Sequence, residues 1–320
     1  MANNTGRTYL ASILALGLFI HELTQPMAVL CEPDATALVD LLAQDKRSKV
    51  SVYNLHYWPG KSDLAHTINY FIPRKPNATG AYPLIIYVHG GGWTTRPSAQ
   101  PTWITQAADR GIAVATVYYR LGQEADGHYP AQIEDLDAAL AYIHENAAKM
   151  GIDPDRLGLW GTSAGGHLVI LLALIGKNTK GIKAVCDFCG PADLVELGKR
   201  TLPGMSWDTS SANSGLAMLL GKPANEAPQL AREASPVSHI HKDAHYPAFL
   251  IVHGQKDNVV PFDQSVRLYN AFKEKGPAQM QVEMVTPPRD KHYLERGKNI
   301  GLALDFFSKN ICLSCPGKII

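Results

Sequence analysis

Leu157-Gly158-Leu159-Trp160-Gly161-Thr162-Ser163-Ala164-Gly165-Gly166 is the stretch whose reading decides the fold. Leu157 to Trp160 is an apolar run and reads as a short buried strand. Good helix formers follow from His167 through Leu174. Between them, Gly161-Thr162-Ser163-Ala164-Gly165 fits G-x-S-x-G. That pattern marks a nucleophile elbow when a strand leads into it and a helix leaves it. A serine on so sharp a turn has strained backbone angles. Glycines at 161 and 165 remove side chains that would collide across the turn. The helix leaving Ser163 directs its positive N-terminal end at the point where an oxyanion would form. Taken alone, five residues with three fixed also describe an ordinary serine N-cap, so the rest of the chain has to discriminate.

At 320 residues the chain is long enough for one large α/β domain. A hydrophobic content of 46% and a charged content of 18% exclude a disordered chain. The net charge is +1 with both signs interleaved, and no basic stripe or polybasic block points to nucleic acid or an anionic membrane. No metal-ligand set and no dinucleotide-binding fingerprint is visible, so neither metal nor cofactor is expected.

Outward from the elbow, the apolar run Leu84-Ile85-Ile86-Tyr87-Val88 reads as a strand covered on both faces. His89-Gly90-Gly91-Gly92-Trp93 follows at once, roughly seventy residues before the elbow. Its glycines leave backbone N–H groups free to approach a ligand. H-G-G-G loops complete an oxyanion hole with the N–H of the residue after the nucleophile. The expected donors are therefore Gly91, Gly92 and Ala164. The two patterns together are far more specific than either alone.

Elsewhere the chain alternates. Val50 to Trp58 and His66 to Ile72 read as two strands joined at Pro59-Gly60. Ala99 to Arg110 reads as a helix, Ile112 to Val117 as a strand, and Ala131 to Met150 as a long helix. Asp153-Pro154-Asp155 reads as the turn into the elbow strand, and Lys183 to Phe188 as the next strand. Ala248 to Val252 is a further strand, Asp263 to Lys275 a helix, Met280 to Val285 a strand and Gly297 to Asn310 the closing helix. This alternation predicts an α/β fold with a mostly parallel sheet flanked by helices. A Pro-, Gly- and Ser-rich region, about 194–245, has no strand signal and reads as a cap-like insertion above the sheet's C-terminal edge. The expected domain spans 34–310, opening with a helix over Asp34 to Ala43, and leaves a tail over 311–320.

A serine hydroxyl needs a base to take its proton, and an imidazole base needs a carboxylate to orient it. Loops leaving the C-terminal ends of the strands are where such a sheet presents these groups. Asp257 lies just past one strand and His292 just past the next, giving Ser163, Asp257 and His292 in chain order. His89 is expected to support its glycine loop, His167 to be packed, and His253 to face the scaffold. Asp187 and Asp193 are the rival acids. Trp93, Trp103, Tyr118, Tyr129 and Trp207 read as core more readily than as pocket lining.

The N-terminus has its own pattern. Arg7 precedes the apolar run Leu10 to Ile20, which is too short to span a bilayer and suits the core of a signal peptide over 1–28. An amphipathic helix packed on the domain is the alternative. Export implies a secreted or periplasmic protein with no stable membrane span after processing. Of the five cysteines, Cys186 and Cys189 fit a buried strand region as small core residues. Residues three apart on a strand face opposite sides, which is poor geometry for joint ligands of one zinc ion. A local Cys312–Cys315 disulfide is expected outside the cytosol.

These residues carry a resemblance. Tyr119-Arg120-Leu121, Tyr129-Pro130-Ala131-Gln132-Ile133-Glu134-Asp135, Gly151 to Arg156 and Gly161 to Leu168 resemble α/β-hydrolase esterases related to hormone-sensitive lipase. Within them the chain is most similar to the BD-FAE group, linked to feruloyl and acetylxylan esterase activity. His253-Gly254-Gln255-Lys256-Asp257 with Val260-Pro261 matches that group's acid loop. The resemblance covers roughly residues 65–308 and implies a carboxylesterase acting on small or carbohydrate esters. Arylformamidase-like, prolyl-peptidase-like and non-catalytic readings of the same fold stand beside it. One departure is the histidine loop, which is small and glycine-rich in the family but reads Arg289-Asp290-Lys291-His292-Tyr293 here. That difference changes the expected rim of the pocket.

Overall fold

A computed structural model of the protein describes residues 49–77, 80–199, 211 and 213–312. The expected signal peptide, the helix over Asp34 to Ala43, Trp207 and the Cys315 partner of Cys312 lie outside the described residues.

The strands are β1 (Val50–His56), β2 (Thr67–Pro73), β3 (Tyr82–Val88), β4 (Ala113–Val117), β5 (Ile152–Thr162), β6 (Ile182–Phe188), β7 (Ala248–Val252) and β8 (Val282–Val285). They form one sheet in the order β1-β2-β4-β3-β5-β6-β7-β8. β2 runs antiparallel to both β1 and β4, and every later pairing is parallel. β3 and β4 are buried at every position, as strands covered on both faces must be.

The helices are α1 (Ile104–Asp109), α2 (Ala131–Met150), α3 (Ala164–Ile175), α4 (Leu194–Leu197), α5 (Gly215–Leu220), α6 (Pro228–Glu233), α7 (Asp263–Lys275) and α8 (Lys298–Ile311). α2 ends at Gly151, whose φ of 66° is the left-handed cap that glycine adopts without a Cβ penalty. α3 is buried at every residue from Ala164 to Leu172, so it lies within the molecule. Among the described residues, no helix is long and apolar enough to cross a membrane.

Among the boundaries that differ from the sequence expectation, three have a local cause. The helix expected from Ala99 starts only at Ile104. Pro101 pushes the residue before it out of the helical region, so the 97–103 segment stays irregular. β5 begins at Ile152 and takes in Asp153-Pro154-Asp155, which the sequence suggested as a turn; the pairing of β3 with β5 shifts register there, leaving room for the proline. β8 starts at Val282, because Met280 N–H closes a turn on the Pro277 carbonyl at 3.0 Å.

Trp103 and Trp160 stack at 4.1 Å between α1 and the sheet, and Tyr87 meets Trp103 edge-on at 5.4 Å. Trp93 and Trp103 are fully buried core residues. Tyr118 and Tyr129 are half-buried. The Tyr129 hydroxyl donates to the Glu233 carbonyl at 3.0 Å, and its N–H to that of Leu219 at 2.7 Å. These bonds dock the inserted segment, which carries α4 to α6 and no strand among its described residues.

The loop between β4 and α2 is fixed by a buried ion pair. Arg120 Nη2 lies 2.7 Å from Asp135 Oδ1, and Asp135 Oδ2 accepts the Arg120 N–H at 2.8 Å. Asp135 is inaccessible to solvent. Removing one partner of such a pair strands a buried charge. Asp135→Ala is therefore expected to lose about 3–5 kcal/mol of stability in urea unfolding. Asp135→Ala combined with Arg120→Met should lose less, and equal losses would show that the ion pair is not what holds the loop.

Candidate active site

Ser163 sits between β5 and α3 with φ 56° and ψ −121°, outside the regions a serine ordinarily occupies. Two glycines make the turn possible. A Cβ on Gly161 would lie 2.1 Å from the Gly165 carbonyl oxygen, and one on Gly165 would lie 2.0 Å from the Val88 carbonyl oxygen. The strained serine is held from both sides. Its N–H donates to Phe188 O at 2.7 Å, and its carbonyl accepts the His167 N–H at 3.0 Å.

Val88 pairs with Gly161, so the loop leaving β3 emerges beside the elbow. Gly91 and Gly92 take φ of 108° and 59° in that loop. Their N–H groups and that of Ala164 donate to no carbonyl among the described residues, as expected for a helix start and a glycine turn built to receive an anion. His89 lies under the loop. Its Nδ1–H donates to the Gly90 carbonyl at 2.7 Å and its ring stacks on Tyr119 at 4.4 Å. His167 is fully buried on α3. Its Nδ1 accepts the Trp93 indole N–H at 3.2 Å, so Nε2 carries the proton and donates to Ala234 O at 2.7 Å. Burial lowers both imidazoles from 6.5 to about 4, so they stay neutral.

Asp257 and His292 come together from adjacent loops. His292 Nδ1 donates to Asp257 Oδ2 at 2.8 Å, and the Asp257 side chain is inaccessible to solvent. Asp257 Oδ1 accepts the N–H groups of Val259 and Val260 at 2.8 and 2.9 Å. Burial pushes this carboxyl's pKa up, but hydrogen bonds from His253 and His292 outweigh it and hold Asp257 well below the usual carboxylate range. His253 was expected to face the scaffold. It is fully buried, yet it also touches the acid, with Nε2 3.1 Å from Asp257 Oδ2. Its Nδ1 accepts the Ser265 hydroxyl at 2.7 Å, which fixes the proton on Nε2.

Cys186 and Cys189 are fully buried core residues, as expected, but two contacts escaped the sequence reading. Glu295, on the loop that carries His292, accepts hydrogen bonds from the Thr162 hydroxyl and from the Tyr87 hydroxyl, the latter at 2.5 Å. Burial and this carboxylate push the Tyr87 phenol well up, so it remains a donor. Cys189, just beyond β6 with φ 49°, directs Sγ–H at the His292 carbonyl at 3.3 Å. No local pattern marks either contact.

Ser163 and His292 line one cleft of about 550 Å³, together with Gly91, Gly92, Thr94 and Tyr293. They share no hydrogen bond, and this contact is often long until substrate is bound. The arrangement supplies a hydroxyl, an imidazole with its outer nitrogen free, a buried carboxylate behind it and unclaimed amide hydrogens. One metal-capable group occurs among the described residues, Cys189 with Asp257 and His292, whose ligand atoms lie within 4.8 Å of one another. All three are already satisfied by the bonds given above.

The rival acids are engaged elsewhere. Asp193 caps α4 by accepting the Glu196 N–H at 3.0 Å. Asp187 is fully buried, accepts the Gly190 N–H at 2.8 Å through Oδ1, and has no partner for Oδ2. Burial raises its pKa to about 7. A folded-state pKa above the unfolded value of roughly 3.9 means that stability falls as pH rises between the two. Asp187→Asn is therefore expected to melt higher than wild type at pH 8 and alike at pH 4. The same difference at both pH values would show that Asp187 is not buried with a raised pKa.

A family model described as BD-FAE matches residues 70–272. Esterase LipQ of Mycobacterium tuberculosis is 29% identical over 212 residues, covering 61% of this chain and 47% of LipQ. The probable carboxylic ester hydrolase LipM of the same bacterium is 30% identical over 207 residues, covering 60% and 46%. The chain thus spans about half the length of the curated relatives it matches. A solved structure titled a truncated form of carbohydrate esterase from gut microbiota superposes with a TM-score of 0.69 at 28% identity, covering 83% of this chain and 98% of that one. Esterase B from Lactobacillus rhamnosis, at 23% identity and a TM-score of 0.66, shares the fold. With the sheet order, these place the chain in the α/β-hydrolase fold.

Proposed function

The chain belongs to the BD-FAE family, and from that premise we propose that it is a serine carboxylesterase working through an acyl-enzyme. The Ser163 oxygen attacks the ester carbonyl while its proton passes to His292 Nε2. Asp257, held ionised, keeps the Nδ1 proton of His292 in place and stabilises the imidazolium that forms. The N–H groups of Gly91, Gly92 and Ala164 receive the oxyanion. His292 then returns the proton to the leaving alcohol. Water repeats the sequence on the acyl-enzyme, releasing the acid and restoring Ser163.

The observation that carries this reading is the buried Asp257–His292 pair opening into the same cleft as the serine at the strained turn. Four glycines and three threonines line that cleft, so it favours a short acyl group and a polar alcohol, as in acetylated sugars or small esters, over long alkyl chains. The likeness to a carbohydrate esterase supports the same class.

Hydrolysis of p-nitrophenyl acetate by wild type and by Ser163→Ala tests the proposal. The variant is expected to lose roughly four orders of magnitude or more in kcat. Wild type should also take a fluorophosphonate label at Ser163. Equal rates in the two proteins would end the reading.

Glu295 acts through its neighbours, as a positioning residue that ties the histidine loop to the elbow. Glu295→Ala is expected to lower kcat about tenfold with KM little changed. Glu295→Gln, which keeps the accepting oxygen, should recover most of the loss. A loss confined to thermal stability would assign Glu295 a purely structural role.

A further inference from the structure

We infer that Tyr293 is the platform on which the alcohol half of the ester is seated, and that this alcohol is a hydroxylated ring such as a pyranoside. The inference rests on the esterase reading above. The oxyanion lies among the amide hydrogens of Gly91, Gly92 and Ala164. The leaving oxygen must instead come within hydrogen-bond reach of His292, because His292 returns the proton to it. The alcohol therefore sits on the histidine side of the nucleophile, and Tyr293 is the next residue.

The Tyr293 ring lies 5.9 Å from the His292 ring, at 72° to it. It is 79% exposed and lines the cleft, whereas His292 before it and Leu294 after it are buried. Its exposure reflects how the loop is anchored on either side, not a surface turn of polar residues. The core gains nothing from it. Among the residues lining the cleft, Val259 and Tyr293 are the apolar ones, and Tyr293 is the aromatic with an open face. A ring stacked there lies in a cleft that three threonines also line. A short open-chain alcohol has no face to match it. If packing of a sugar's C–H face on the tyrosine ring is of the order of an aromatic pair, it is worth roughly threefold to tenfold in binding.

This assignment separates the two halves of the reaction. Once the alcohol has left, the acyl-enzyme is the same whatever alcohol it came from, so Tyr293 acts on acylation and not on deacylation. The experiment compares wild type, Tyr293→Ala and Tyr293→Phe on methyl 3-O-acetyl-glucopyranoside and on ethyl acetate. Relative to wild type, kcat/KM of Tyr293→Ala on the glycoside should fall roughly threefold to tenfold further than on ethyl acetate. Tyr293→Phe should keep the discrimination, and single-turnover decay of the acetyl-enzyme should run alike in all three. Equal losses on both esters, or the same loss in Tyr293→Phe as in Tyr293→Ala, would overturn the stacking role. Failure of wild type to hydrolyse p-nitrophenyl acetate would instead remove the esterase reading, and the platform with it, whereas hydrolysis of that ester with no turnover of the glycoside would overturn the platform alone.

Discussion

A serine forced to a φ of 56° at the end of a buried strand is the constraint on which the site depends. That conformation survives only because the backbone around it is packed too tightly for any other. The approach of Gly165 to the Val88 carbonyl ties the elbow to β3, and the Ser163 N–H bond to Phe188 O ties it to β6. The neighbours of β5 in the sheet are β3 and β6, and beyond β6 come β7 and β8, which lead to the acid and histidine loops. β3 ends in the glycine loop, and β6 leads to the residues beneath the histidine. Once the sheet order is set, nucleophile and oxyanion donors adjoin without further adjustment.

Protonation states follow from burial in the same local way. His89 and His167 are nearly or fully buried and stay neutral, each with a tautomer set by what faces it. His167 links the indole after the glycine loop to the carbonyl of Ala234 in the inserted segment, so the loop and the insertion share one neutral anchor. His253 does the opposite for charge, donating to Asp257 and helping a buried carboxylate stay ionised. Burial raises the Asp187 pKa, and with a donor on only one oxygen little offsets that rise. Two buried aspartates, one on β6 and one on the loop after β7, thus differ because one is fully hydrogen-bonded and the other is not.

The sequence made legible whatever is written in contiguous residues. Apolar runs marked β3 and β7, a glycine triplet marked the donor loop, and G-x-S-x-G marked the elbow. Helix α2 was readable to the residue, since its apolar spacing runs unbroken to the Gly151 stop. Where a proline intervened, as at Pro101, the boundary moved. Contacts between distant residues were not legible. Glu295 meets Thr162 across 133 positions and Tyr87 across 208, and nothing near any of the three signals the meeting. His253 was visible as a strand-end histidine, but its four-residue spacing to Asp257 becomes a contact only after the loop folds back on itself.

The histidine loop shows why those distant contacts matter. An imidazole that must serve a hydroxyl on one side and a carboxylate on the other cannot be placed by its own side chain alone. Its backbone has to be fixed as well. Cys189 holds the His292 carbonyl from the β6 side, and Glu295 grips β3 and the elbow three residues later. Leu294, fully buried between them, prevents the loop from turning over. With positions 292, 294 and 295 all committed inward, position 293 has only the cleft mouth to occupy. The residue that orients nothing and packs nothing is therefore the one free to meet substrate, and there the chain places an aromatic ring.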